Sequence, residues 1–169
     1  RKTHNLDSAI SDYLSSISLN NNLAFVYNSL ANVYKLKGDT ENAIKYYDLA
    51  ISKDFNYVLA YNNKASILIE SSQFEKANIN IQKSLSINPQ YAPALNNLGV
   101  INHLRNKYND AIDSFDNAIL IDKNYAKAYL NRGVSKQMIR DEHGACLDWM
   151  KAKELGIASA EKYLLNDCQ

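Results

Sequence analysis

Apolar residues recur three and four apart along this chain, as in Ile112, Phe115 and Ile119 and in Tyr47, Ala50 and Ile51. That spacing places them on one face of a helix. The helical runs are interrupted at two kinds of place. One set of breaks lies near Lys37-Gly38-Asp39, Ser71-Ser72, Arg105-Asn106 and Arg140-Asp141; the other lies near Asp54, Asn88-Pro89, Asp122-Lys123 and Gly156. Glycine after a helix, and Asp, Asn or Pro ahead of the next, are stop and start signals with a mechanism. The pattern predicts antiparallel helix pairs, each helix about three to four turns long.

The pairs repeat at a fixed period of 34 residues, without insertion or deletion. A period in this range marks a repeat architecture. Stacking the blocks that begin at Ala24, Val58, Ala92 and Ala126 lines up several columns. One holds only small residues: Ala31, Ala65, Gly99 and Gly133. A second is all alanine: Ala43, Ala77, Ala111 and Ala145, with Ala9 one period earlier. Next comes a large residue: Tyr13, Tyr47, Ile81, Phe115 and Trp149. Then the column is small again: Ser16, Ala50, Ser84, Ala118 and Ala152. Tyr27, Tyr61, Leu95, Tyr129 and Tyr163 form an aromatic-rich column, and Tyr57, Tyr91 and Tyr125 close three blocks. Helices that cross closely need Gly or Ala at the crossing, with a bulky neighbour to fill the adjacent groove.

These columns resemble the tetratricopeptide repeat family. Leu95, Leu98, Gly99, Ala111, Phe115 and Ala118 carry the pattern best. Tyr27, Leu30, Ala31, Tyr34, Ala43, Tyr47 and Ala50 match it almost fully. Tyr61, Ala65, Ala77 and Pro89 form a degenerate copy, and Tyr129, Gly133, Ala145, Trp149 and Ala152 the last. Lys64 and Arg132 depart from it, standing where leucine is usual. The resemblance implies an all-α fold, a right-handed α-α superhelix in which each repeat contacts its neighbours.

On this reading residues 1–22 hold the second helix of a truncated repeat, with Ala9, Ile10, Tyr13, Ser16 and Ile17 on its packing face. Full repeats occupy 24–57, 58–91, 92–125 and 126–159. Residues 158–167 form a C-terminal capping helix, with Glu161, Lys162, Asn166 and Asp167 outward. The chain opens at Arg1 inside a repeat, so a piece of a longer protein is expected, cut at its N-terminal side and ending near a natural boundary.

Composition narrows the function classes. The chain has 169 residues, 46% hydrophobic and 22% charged, with a net charge of +1. That balance supplies no broad attraction to nucleic acid or anionic membrane. No stretch of 18 apolar residues suggests a transmembrane helix. Asn, Lys, Ile and Tyr are frequent, which fits an AT-rich coding sequence.

Chemistry-bearing residues are few. His4, His103 and His143 lie in different repeats, without partners at zinc-ligand spacing. His103 reads as a solvent-exposed helix residue. His143 and Cys146 are three apart, but Cys146 directly follows the alanine column and reads as a buried core thiol rather than a nucleophile. Cys168 belongs to the terminal helix, and the pair is open to either a disulfide or two free thiols. No nucleophile, base or metal set converges, so neither an enzyme nor a cofactor is expected.

One polar pattern is not demanded by packing. Asn28, Asn62 and Asn96 share a column; Asn63, Asn97 and Asn131 share the next; Asn32 lies a turn beyond Asn28. The family resemblance implies that these columns face a concave groove. Side-chain amides both donate and accept, so the expected binding surface comprises Asn28, Asn32, Asn62, Asn63, Asn96, Asn97 and Asn131, with His103 and Lys127 toward one end. Of these, Asn62, Asn63, Asn96 and Asn97 are expected to lie outside the core. Some family members clamp the C-terminal carboxylate of chaperone tails with two Lys, an Arg and two Asn. The matching positions here are Asn28, Asn32, Asn63, Pro93 and Asn97, or one repeat later Asn62, Ser66, Asn97, Lys127 and Asn131. The cations are largely missing, so that clamp is not expected. The leading expectation is a protein-interaction module for an extended peptide or partner segment of unknown identity. A structural or oligomerising spacer, self-associating through the truncated N-terminal face, is the alternative. RNA binding, known in related 35-residue helical repeats, fits the charge and the 34-residue spacing poorly.

Overall fold

The computed structural model describes the backbone from Lys2 to Cys168 and side chains from Asn5 onward, so the side chain of His4 lies outside the described residues. The described residues form ten α-helices and no strand. They divide into two compact units, the first ending at Asn88 and the second beginning at Pro89. The first contains α1 (Lys2–Leu19), α2 (Ala24–Lys37), α3 (Thr40–Lys53), α4 (Val58–Glu70) and α5 (Phe74–Ile87). The second contains α6 (Ala92–Leu104), α7 (Tyr108–Ile121), α8 (Ala126–Met138), α9 (Glu142–Glu154) and α10 (Ala160–Asp167).

Within each unit, consecutive helices pack as pairs: α2 on α3 and α4 on α5 in the first, α6 on α7 and α8 on α9 in the second. The columns of small residues explain the closeness. Ala43, Ala77, Ala111 and Ala145 are fully buried, as are Ala50, Ser84, Ala118 and Ala152. Tyr47, Ile81, Phe115 and Trp149 are also fully buried. The bulky side chain does not merely lie beside the crossing; its ring rests on the small residue of the partner helix. A methyl group on Gly99 would sit 2.5 Å from the Phe115 ring, and one on Gly133 2.5 Å from Trp149 Nε1. Where α2 meets α3, Ala31 and Tyr47 share a buried cluster with Ile67.

One turn geometry recurs. Gly38 N–H donates to Lys35 O and Asp39 N–H to Tyr34 O; the same pair of bonds links Ser72 and Gln73 to Ile69 and Leu68, Asn106 and Lys107 to His103 and Asn102, and Arg140 and Asp141 to Gln137 and Lys136. This is a Schellman closure, with the helix ended by one left-handed residue. The φ angles there are 82° at Gly38, 58° at Ser72, 60° at Asn106 and 64° at Arg140. Only the first position is glycine.

The return turns at Asp54 and Asp122 are built differently, whereas the one at Gly156 repeats the Schellman pair, Gly156 N–H to Lys153 O and Ile157 N–H to Ala152 O. Asp54 and Asp122 accept side-chain bonds from the N–H groups of Asn56 and Asn124, each at 2.9 Å. The tyrosine that follows plugs inward: Tyr57 packs on the Tyr27, Ala50 and Ala60 cluster, and Tyr125 on Ala92, Ala118 and Ala128.

Candidate functional site

The asparagine columns do not stand free. In the first unit, the Asn63 amide on α4 donates to Asn28 Oδ1 on α2 at 3.1 Å and lies 3.4 Å from Asn32 Oδ1. Burial and the nearby Glu70 carboxylate push the Tyr47 phenol well above its usual pKa. It remains a donor and binds Asn32 Oδ1 at 2.6 Å. In the second unit, the Asn131 amide on α8 donates to Asn96 Oδ1 on α6 at 2.9 Å. The expectation that Asn62 and Asn96 lie outside the core is therefore corrected: with Asn28 of the same column they are only 7%, 5% and 6% exposed. Asn28 and Asn96 sit between neighbouring first helices of their own unit, where a buried amide must find a partner, and each finds it in the next repeat. Asn32, Asn63, Asn97 and Asn131 are half-buried, and Lys127 is exposed on α8.

His103, near the end of α6, is half-buried rather than solvent-exposed. Its Nδ1 lies 2.9 Å from Ser135 Oγ on α8, which is itself 3.2 Å from Asn131 O. Tyr108 meets the imidazole edge-on, with ring centroids 5.3 Å apart. Burial lowers the His103 pKa, favouring the neutral ring.

His103 and Asn131 face the same cavity of about 170 Å³, whose other walls are Val100, Leu104, Phe115, Val134 and Tyr163. Of the binding residues expected from sequence, the cavity gathers these two. It also recruits apolar residues that sequence reasoning missed. A signal for them existed: Asn32, Ser66, Val100 and Val134 stand 34 apart in one column, which turns from polar to apolar between the units. The lining has no nucleophile, and with neutral His103 it has no formal charge. It can take an uncharged group, with a hydrogen bond at its polar edge.

The two departures from leucine carry ion pairs. Lys64 Nζ is 2.5 Å from Asp48 Oδ1. Arg132 on α8 grips Asp148 on α9 with two bonds, 2.8 Å from Nε and 2.5 Å from Nη2, and reaches Asp116 on α7 with Nη1. Lys136 Nζ adds a contact to Asp148 at 3.0 Å. Asp148 is only 3% exposed, so two cations balance a carboxylate cut off from water. Burial opposes the Arg132 charge, but hydrogen bonds to Asp148 and Asp116 outweigh it and raise the guanidinium pKa. Position for position, the Lys136–Asp148 pair replaces Asn102 beside Ser114 in the preceding repeat, 3.4 Å apart, and the stacked rings of Tyr34 and Tyr46 in the first unit, with centroids 5.2 Å apart.

The reading of Cys146 as a buried thiol is corrected. It is half-buried and forms a disulfide with Cys168, with a Cα–Cα distance of 5.8 Å. The α10 helix packs on α9: Tyr163 stacks on Trp149 at 4.9 Å, and Ala160 is fully buried. Among the described residues, no group of three or more His, Cys, Asp or Glu is placed to hold a metal ion. No helix among them is long and apolar enough to cross a membrane.

Comparison with known proteins gives a consistent picture. Models of the tetratricopeptide repeat match residues 92–125, 26–57 and 58–91. No curated protein matches the sequence. Among solved structures, the chain is similar to one in the APC/C hetero-tetramer Cut9–Hcn1, at TM-score 0.88 and 19% identity, covering 96% of this chain and 33% of that one. It is similar to PilF of Pseudomonas aeruginosa, at TM-score 0.83 and 19% identity, over 97% of this chain and 75% of that one. It also matches YrrB, described as having an unusual peptide-binding site, at TM-score 0.68 and 18% identity, over 97% and 85% of the two chains. At these identities the likeness is one of fold.

Proposed function

Since the chain belongs to the tetratricopeptide repeat family, whose members are typically non-enzymatic scaffolds for protein–protein interaction, we propose that it binds an extended segment of a protein partner along its first helices. In this reading 24–57, 58–91, 92–125 and 126–159 are the full repeats, with α1 packed on the first of them and α10 on the last. The observation that carries the proposal is the cavity on α6, α8 and α10. Val100, Leu104, Val134 and Tyr163 offer an apolar seat there, while His103 and Asn131 offer polar edges. The volume suits one uncharged side chain of a bound segment. We assign Asn32, Asn63, Asn131 and Lys127 to hold backbone groups, whereas Asn28 and Asn96 act as struts that accept from the next repeat. The peptide-binding site ascribed to YrrB supports this mode of use by analogy of fold.

Selection from a displayed random-peptide library tests it. Retained peptides should share an apolar, uncharged anchor. Seating such a side chain is worth about 1.5–3 kcal/mol, so Val134→Glu should weaken binding roughly tenfold to a hundredfold with an unchanged helical spectrum. Peptides that bind the variant equally well would overturn the assignment. A second reading, an oligomerising spacer, draws on the exposed apolar side chains of Leu19, Phe25 and Leu36 in the first unit. A solution mass that rises with concentration, with no peptide retained, would favour it.

A further inference from the structure

The α10 helix has few means of holding itself. It has eight residues, and Ala160 is its one buried residue. So short a helix is unstable alone in water. Its attachments are the Tyr163–Trp149 stack, an exposed Lys153–Glu161 pair at 2.9 Å, the apolar neighbours of Ala160, and the Cys146–Cys168 disulfide just past its last turn. The same helix supplies Tyr163 to the wall of the α6–α8 cavity. The disulfide is not sealed in the core. Both cysteines line an open cavity of about 400 Å³ on the other side of α9, together with Glu142, His143, Met150 and Asp167.

We propose that Cys146–Cys168 is a thiol–disulfide exchange site, and that its redox state sets whether α10 stays docked and Tyr163 stays in the cavity wall. A dithiol reductant is the co-reactant. Its thiolate enters the open cavity and attacks one cysteine sulfur; the S–S bond breaks and its electron pair leaves on the other sulfur as a thiolate. The reductant's second thiol then attacks the mixed disulfide, releasing the second cysteine and leaving the reductant oxidised. Two electrons pass to the protein, and solvent supplies the two protons that complete the thiols. A low-molecular-weight disulfide reverses the sequence. Reduction removes the covalent cross-link beyond the last turn of a segment with little buried surface, and such segments open locally at low cost.

The test compares oxidised and dithiothreitol-reduced wild-type chain, and Cys168→Ser, by native hydrogen-exchange mass spectrometry and Trp149 fluorescence. The expected result is reduction without denaturant, exchange across 160–167 faster by about tenfold or more, red-shifted Trp149 emission, and unchanged protection over 92–138. The Cys168→Ser chain should match the reduced wild type. Because the wild type is compared with itself, a folding failure of the variant leaves the test intact. A disulfide that yields only after unfolding, equal exchange at 160–167 in both states, or two free thiols that glutathione disulfide does not join would each overturn the proposal. None of these readouts involves a bound peptide, so the exchange site stands or falls separately from the binding cavity.

Discussion

The indole of Trp149 lies against the bare α-carbon of Gly133, so closely that a single methyl group there would come within 2.5 Å of Nε1. Trp149 is fully buried, and Nε1 has no hydrogen-bond partner. The contact has therefore been kept for packing at the expense of a donor. Gly133→Ala should force the two helices apart or the ring off its rotamer, costing about 1–3 kcal/mol. Urea titration followed at Trp149 checks this. Gly99→Ala, which meets the Phe115 ring at the same distance, should cost a similar amount.

The asparagine struts make a second prediction. Asn131→Ala removes the donor to Asn96 Oδ1, leaving a buried carbonyl oxygen without that bond. An unmet buried group costs about 1–3 kcal/mol. Chemical denaturation should show that loss. It follows that changing Asn62, Asn63, Asn96 and Asn97 together to Ala should lower stability as well as weaken partner binding. A melting temperature unchanged by the quadruple substitution would contradict the burial described here.

Asp148 should be less tolerant than any surface acid. Asp148→Ala leaves half-buried Lys136 without this partner and Arg132 with Asp116 alone, and removing one partner of a buried pair costs about 3–5 kcal/mol. The preceding repeat indicates a neutral solution, since Leu98, Asn102 and Ser114 occupy the equivalent positions. The triple variant Arg132→Leu, Lys136→Asn, Asp148→Ser should thus recover most of the stability lost by Asp148→Ala, as read by denaturant midpoint. Failure of the triple variant to exceed the single one would show that the pair cannot be replaced in this way.

Burial of His103 makes a pH dependence. The unfolded chain takes up this proton near pH 6.5, and the folded chain only at lower pH. Between those values the unfolded state binds more protons, so stability falls as pH drops through that window and is fully present above it. An NMR titration should place the His103 midpoint below that of an unfolded peptide. The acid-side loss of stability should be smaller in His103→Gln, a comparison that subtracts the other two histidines.

Much of the fold was legible because its signals are local or strictly periodic. The Ala43, Ala77, Ala111 and Ala145 column needs only the chain laid upon itself. The site was less legible because its contacts join residues whose types suggest something else. Asparagine reads as a surface residue, and the Asn63–Asn28 and Asn131–Asn96 bonds span 35 residues, one more than the period. Arg132 looked like a departure from leucine until Asp116 and Asp148, 16 residues away on either side, closed around it. Lys64 with Asp48 repeats one of those offsets. Cys146 was placed by its neighbour Ala145, but helix geometry turns it toward α10 and the disulfide.

The Schellman turns at Gly38, Ser72, Asn106 and Arg140 have a consequence for how such a chain can change length. Two of the four left-handed positions, Ser72 and Arg140, use a residue that strains there, at about 1–2 kcal/mol each, and Asn106 one that tolerates it, so the turn is retained even when glycine is absent. Each turn fixes both the count of residues and the phase of the next helix. One inserted residue would break the paired backbone bonds and rotate the following helix by about 100°, carrying its alanine column away from the core. Growth or shortening by single residues at these turns is thereby closed to the chain. Whole repeats, gained or lost by duplication or deletion of coding sequence, keep every turn intact. The absence of any insertion over the length of this sequence is what that quantisation would leave behind.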